Sequence, residues 1–227
     1  MPTTTTGPSL DHDRWRAGLD ALIDTIAPRF ARHDAARNAG AFLLSVLSAV
    51  ETKNCWTMAE LAGHSTPDRL QHLLSRAKWD AEEVREDLQH LVLDGLGTDQ
   101  AVLVIDETGD LKKGTHTVGV QRQYTGTAGR IENCQVAVYL TYATRIGHAL
   151  IDRALYLPRS WTDDPARCAA AGVPDDIEFA TKPRLAADLI TRARAAGVCA
   201  DWVAGDEVYG DNPYLRNMLV DNKIGYV

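Results

Sequence analysis

The 227-residue sequence predicts an α/β fold, a mixed sheet with flanking helices, preceded by a small all-α domain. Three observations predict it. Apolar residues recur at helical spacing from Asp13 to about Leu96 with no convincing strand among them. At Asp99 the pattern changes to a continuous Val- and Ile-rich run, AVLVIDET, as a strand buried on both faces would give. From there, strand-like and helix-like segments follow one another to the last residue.

In the front part, residues 1–12 are Thr-, Pro- and Gly-rich and are expected to be disordered. The helical domain is read over 13–97. Trp15, Leu19, Leu22, Ile23 and Ile26 recur at three and four before Pro28, and Ala41 to Val50 is a second apolar run. Thr57 to Ala62 supplies good helix formers and a Gly stop. In HSTPDRLQHLLSRA, Ser65 or Thr66 reads as a cap, Pro67 as the first helical position, and Leu70, Leu73 and Leu74 as the inward face. Asp80 to Leu93 is a further amphipathic helix. The Trp and Leu stripes of these helices are expected to be core, and none has a clean helix-turn-helix signature.

The second domain is read over 98–227. After VLVID come Thr117 to Tyr124, which alternates partly, and Gln135 to Tyr142, which alternates well, with GTAGR as the turn between them. His148 to Leu157 adds a strand before Pro158, and SWTDDPARC reads as irregular. Lys182 to Ala196 is a helix with Pro183 near its start and Gly197 as its stop. ADWVA is a short strand running into GDEVYG, Asn212 to Val220 is helical, and Ile224 to Val227 opens another strand. This order fits a ribonuclease H-like fold. A chain stopping at KIGYV inside an apolar strand is expected to be C-terminally truncated.

Bulk properties narrow the function classes. A hydrophobic fraction of 45% and a charged fraction of 24% are ordinary for a globular protein. No apolar stretch approaches the ~20 residues of a membrane helix, and MPTTTTGPSL lacks the basic and apolar regions of a signal peptide, so a cytoplasmic protein is expected. Cys55, Cys134, Cys168 and Cys199 lie far apart without zinc-site spacing and are read as reduced thiols. The net charge of −7 argues at first against nucleic acid. It is a weak argument, since a nuclease that gathers carboxylates around metal can still present local basic surface.

Two acids stand out because apolar strands deliver them: Asp106 after VLVI and Asp206 after WVAG. Ionised carboxylates at such positions are costly unless paired, hydrogen-bonded or metal-bound. Neighbouring strands, ~4.8 Å apart, could bring the two together for divalent ions that stabilise the attacking and leaving oxygens of a phosphodiester displacement. The bland reading of either acid alone is a turn or helix-cap residue. Alternation points Glu107 to the face opposite Asp106, which makes it a structural or supporting residue.

The run VIDETGDLKKGTHTVGVQRQYTGTAGRIENCQVAVYL, then ALYLPRSWTDD, EFATKPRLAADLI and VAGDEVYGDNPYLR, closely resembles an insertion-sequence branch of the bacterial DDE transposases, over about Glu51 to the end. The resemblance implies a ribonuclease H-like domain that binds two Mg²⁺ or Mn²⁺ ions through Asp, Asp and Glu. It implies cleavage and strand transfer at transposon ends. Asp106 corresponds to the first catalytic, metal-binding Asp and Asp206 to the second. The Glu has no counterpart before Val227, so this chain alone is expected to bind metal weakly and not to cleave. The implied partner is double-stranded DNA, as transposon ends and target, and the resemblance leaves room for a homodimer on it.

Between the acids, Lys112, Lys113, His116, Arg122 and Arg130, with Tyr124, read as DNA-contact candidates suited to phosphate contacts and base stacking. Lys182 and Arg159 are weaker ones. Solvated surface cations are the bland alternative, and Tyr209 reads as packing or substrate positioning. A non-catalytic DNA-binding or regulatory protein derived from such a transposase is the rival function, and a general ribonuclease H-like nuclease is a third.

Overall fold

The computed structural model describes residues 11–227 and divides into two compact units, one ending at Asp87 and one running from Leu88 to Val227. The expectation of disorder falls mostly on residues outside that description. Its last two residues, Asp11 and His12, open the first helix instead.

In the first unit, α1 (His12–Ile26) starts where the Asp11 carboxylate accepts the Arg14 amide at 3.0 Å, satisfying a donor that a helix start leaves orphaned. Pro28 cannot continue the amide ladder, and a short 3-10 turn, Ala27–Arg29, follows. α2 (His33–Leu47) begins ahead of the apolar run read from the sequence, because the small residues Ala35, Ala36 and Ala39 are part of its buried face. α3 (Cys55–Leu61) is fixed by a capping box: the Asn54 side chain accepts the Trp56 and Thr57 amides at 2.8 and 3.1 Å, and Thr57 Oγ1 accepts the Asn54 amide at 3.4 Å. α4 (Asp68–Ser75) has Pro67 as its cap rather than Ser65 or Thr66. The Thr66 hydroxyl donates to Asp68 instead, at 3.0 Å. α5 (Ala81–Leu96) is capped by Asp80, which accepts the Glu82 and Glu83 amides at 3.0 and 2.9 Å.

Met58, Ala59 and Leu70 form the small core of this unit, flanked by Phe42 and Cys55. Arg29 clamps Asp87 through two bonds of 2.8 Å, and Phe30 stacks on Trp79 at 5.6 Å. The stripe expected to be core is only partly so. Leu19 and Ile26 are buried, and Ile23 packs on Gly40, but Trp15 is 50% and Trp56 60% exposed, and Leu74 is exposed as well. Trp15 and Trp56 sit in the first turns of their helices and Leu74 in the last turn of its own, at the margins of the packed surface.

The second unit is built on β1 (Val102–Leu111), β2 (Gln121–Thr125), β3 (Arg130–Ala143), β4 (His148–Leu155), β5 (Trp202–Gly205) and β6 (Gly225–Tyr226). Their order is β2-β3-β1-β5-β6, with β4 also paired to β3. β1 runs antiparallel to β3 along its whole length and parallel to β5, which is parallel to β6, so the sheet is mixed as expected. β2 starts at Gln121, later than read, because Thr117 to Val120 forms a turn closed by the Val120 amide on the Thr117 carbonyl at 3.0 Å. Gly109 in β1 allows Thr125 to lie directly on it: a Cβ there would stand 2.1 Å from Thr125 Oγ1.

Five helices accompany the sheet: α6 (Arg159–Thr162), α7 (Pro165–Ala170), α8 (Lys182–Ala195), α9 (Glu207–Gly210) and α10 (Pro213–Asp221). The α8 residues Ala186, Ala187, Leu189, Ile190 and Ala193 share one helical face and are fully buried with Leu103, Ile105, Val138, Leu140 and Tyr142 of the strands. Burying each large side chain stabilises by about 1.5–3 kcal/mol. Val92, Leu93 and Leu96 of α5 pack against this core, which is why the unit boundary falls inside α5 and ahead of the boundary at 97/98 read from the sequence. The stretch read as irregular folds into α6 and α7, because Asp164 accepts the Arg167 amide at 3.0 Å and Pro165 occupies the first helical turn. Trp161 centres a second small core there with Val120 and Leu157, its indole donating to the Val120 carbonyl at 2.9 Å.

Candidate functional site

The parallel register of β1 and β5 runs from Val102↔Trp202 to Ile105↔Gly205. The residue that follows the last pair is an acid in both segments. Asp106 of β1 and Asp206, which follows β5 and caps α9, each lie one step past that pair, although a hundred residues separate them in the chain. The β1 position is rigid, since Asp106 also faces Tyr139 of β3 in the antiparallel register.

Each carboxylate has one oxygen committed locally. Asp106 Oδ1 accepts the Glu107 amide at 2.7 Å, and Asp206 Oδ1 accepts the Val208 amide at 2.9 Å, capping α9. Both side chains are exposed. The desolvation cost argued from the apolar strands is thus not incurred, because the acids lie just where the strands open to solvent. What the arrangement offers is a pair of hard carboxylate oxygens, the donors that Mg²⁺ and Mn²⁺ favour. Among the described residues no group of three or more His, Cys, Asp or Glu is placed to hold a metal ion, and all four cysteines are free thiols.

Glu107 faces away from Asp106, toward α8 and α9. Its Oε1 accepts Lys182 Nζ at 2.5 Å and its Oε2 accepts the Tyr209 hydroxyl at 2.5 Å. Tyr209 is only 1% exposed. Burial first, then the bond to Glu107 and the negative charges of Glu107, Asp106 and Asp206, push its hydroxyl far above its ordinary value of 10.0. Of the three acids, only Glu107 is hydrogen-bonded to the phenol. The Glu107–Lys182–Tyr209 network was not put together from the sequence. A signal existed: Lys182 opens α8, where the helix dipole disfavours a cation, so it needs an anionic partner.

The DNA-contact candidates cluster away from the acids. Lys112 leaves β1 about 20 Å along the strand from Asp106 at ~3.3 Å per residue, and pairs with Asp110. Arg130 pairs with Glu132 at 2.8 Å. Lys113 and His116 are exposed on the loop after β1, while Arg122 and Tyr124 alternate on β2 and so share a face. Lys113, His116 and Arg122 have no carboxylate partner among the described residues, and Tyr124 is 62% exposed. Of the weaker candidates, Arg159 stacks over the Phe179 ring at 4.2 Å, and Lys182 is bound to Glu107.

A family model described as "DDE superfamily endonuclease" matches residues 25–227. A protein from Microchaete diplosiphon, "Probable transposase for insertion sequence element IS701", is 32% identical over 168 residues, which cover 73% of this chain. The match spans 41% of that relative's length. No helix among the described residues is long and apolar enough to cross a membrane.

Proposed function

Because the chain belongs to the DDE superfamily of endonucleases, we propose that it forms part of an insertion-sequence transposase that cleaves and joins phosphodiesters with divalent metal ions. The observation that carries the reading is that Asp106 and Asp206 each follow the last β1/β5 pair by one residue, each with an oxygen left for a ligand. Two ions, Mg²⁺ or Mn²⁺, bound there in the complete site would stabilise the attacking and leaving oxygens of an in-line displacement. Asp106 and Asp206 hold them, and Glu107, turned away and saturated by Lys182 and Tyr209, does not. Double-stranded DNA, as transposon ends and target, is the substrate and partner, approached by a protein that works in the cytoplasm, with a homodimer on the DNA as the assembly this reading accommodates. Lys112, Lys113, His116, Arg122, Tyr124 and Arg130 are its contacts, with the helical domain upstream of the sheet as a second grip. The pair alone supplies two carboxylates, so this polypeptide by itself binds metal weakly and does not cleave.

One observation favours a second reading, a DNA-binding or regulatory protein without catalysis. Asp106 and Asp206 each already have a local structural partner, so metal is not required to explain them. Calorimetry with Mn²⁺ and Mg²⁺, with and without DNA, on this chain and on its Asp106→Asn and Asp206→Asn variants separates the two. Weak binding abolished by either change supports the metal site. Binding that is absent, or indifferent to both changes, supports the second reading.

A further inference from the structure

Beyond the strand register, only side-chain bonds can fix the distance between the two acids. β5 contributes four residues, and its pairing with β1 ends at Ile105↔Gly205, one step short of the acids. The next lateral tie is the Tyr209–Glu107 hydrogen bond. Glu107 directly follows Asp106, and Tyr209 lies one turn after Asp206, whose carbonyl accepts the Tyr209 amide at 3.1 Å. The two segments thereby close a short ring, Asp106–Glu107···Tyr209–Val208–Glu207–Asp206, whose one non-covalent side-chain link is the 2.5 Å bond.

We propose that Tyr209 and Glu107, backed by Lys182, are positioning residues that set the spacing of Asp106 and Asp206 for metal. This rests on the reading of those two acids as a metal site. Each component is constrained. Tyr209 seats closely on Gly205, where an added Cβ would come within 3.2 Å of Tyr209 Cβ. Tyr209 as a whole is only 1% exposed. Lys182, on the rigid first turn of α8, holds the second Glu107 oxygen and balances its charge, so the carboxylate cannot rotate toward the metal side. Removing a partner of this kind leaves the ligands present but loosely spaced, which typically weakens metal affinity about 10–100-fold.

The test is Mn²⁺ titration, by calorimetry and by Mn²⁺ electron paramagnetic resonance, of the whole chain and of Tyr209→Phe, Glu107→Ala, Glu107→Gln and Asp206→Asn. Tyr209→Phe keeps the buried ring and removes only the hydroxyl, and near-ultraviolet circular dichroism checks that the fold is kept. The expected result is that Asp206→Asn abolishes binding and that Tyr209→Phe and Glu107→Ala each weaken it about tenfold or more. Combining the two should add little to either alone, since they break one bond. Glu107→Gln, which keeps an acceptor for Tyr209, should lose less. If Tyr209→Phe and Glu107→Ala bind as the unaltered chain does while Asp206→Asn does not, the positioning role is refuted and the metal site stands. If the unaltered chain binds no Mn²⁺, both the site and this inference are overturned. Should Tyr209→Phe fail to fold, the contrast between Glu107→Gln and Glu107→Ala decides by the same criterion.

Discussion

Replacing Gly109 by alanine tests whether the sheet depends on the close seating of Thr125. The new methyl carbon would stand 2.1 Å from Thr125 Oγ1 and 2.6 Å from its Cβ, where ordinary contact begins at 3.4 Å. Rotating the threonine gives no relief, because its own Cβ is inside that distance. β2 must therefore retreat by roughly 1 Å, an overpacking strain of about 1–3 kcal/mol. The buried bond from Thr125 to the Gly109 carbonyl, 3.4 Å long, stretches as well, losing up to about 1 kcal/mol. Stiffening of the unfolded chain offsets about 0.5–1 kcal/mol. A net loss of about 1–3 kcal/mol corresponds to an opening constant raised roughly 5- to 150-fold. Cys134 reports this directly: it is fully buried on β3, paired with both Leu111 and Gln121, and burial pushes its thiol up, so it reacts only after local opening. With Cys55, Cys168 and Cys199 changed to serine, the labelling rate of Cys134 under native conditions should rise by that factor in Gly109→Ala. Adding Thr125→Gly should return part of the loss, with a coupling above about 1 kcal/mol. Additive effects of the two changes would refute the clash as the cause.

Other consequences are equally open to measurement. Trp161→Ala empties the small core beneath the loop after β1 and should cost about 3–5 kcal/mol locally, read as fast hydrogen exchange at Val118–Gln121 with little change in β5. Tyr209, whose hydroxyl is held protonated in the fold, stabilises fully below its unfolded value of 10.0, and this contribution is lost as pH rises above it. Alkaline unfolding of the sheet unit should therefore be shallower in Tyr209→Phe, and identical profiles would contradict the assignment. If Lys113 and Arg122 contact phosphates, alanine at each should reduce the slope of log affinity for DNA against log salt by about 1; an unchanged slope places the DNA elsewhere.

What was legible in the sequence follows from where local physics decides the outcome. β1 could be read from its continuous apolar run and β3 from its alternation, both local properties, and α8 because Pro183 and Gly197 punctuate it. α6 and α7 were missed although Asp164–Pro165 is a helix-start pair, since turns of four and six residues bury too few side chains to show a period. Trp15 was assigned to the core from its helical spacing, but exposure depends on which turn of a helix its neighbour covers, which periodicity does not reveal. Asp106 and Asp206 were singled out from their strand-end positions, and the β1–β5 register ends one residue before each of them. The position of Lys182 at the start of α8 signals a need for an anionic partner, but not which one, because Lys182 and Tyr209, 75 and 102 positions from Glu107, meet it only through the tertiary fold.

The unequal lengths of the strands that flank β1 also bear on how the protein reaches its native state. β1 and β3 lie close in the chain and pair over ten residues, so they can nucleate early as a local antiparallel unit. The β1–β5 ladder is short and parallel, and it requires the chain between Asp106 and Asp206 to close into a long loop before any of its bonds is made. Loop-closure entropy makes such pairing slow. The β1–β5 ladder is therefore expected to form after the β1–β3 pairing.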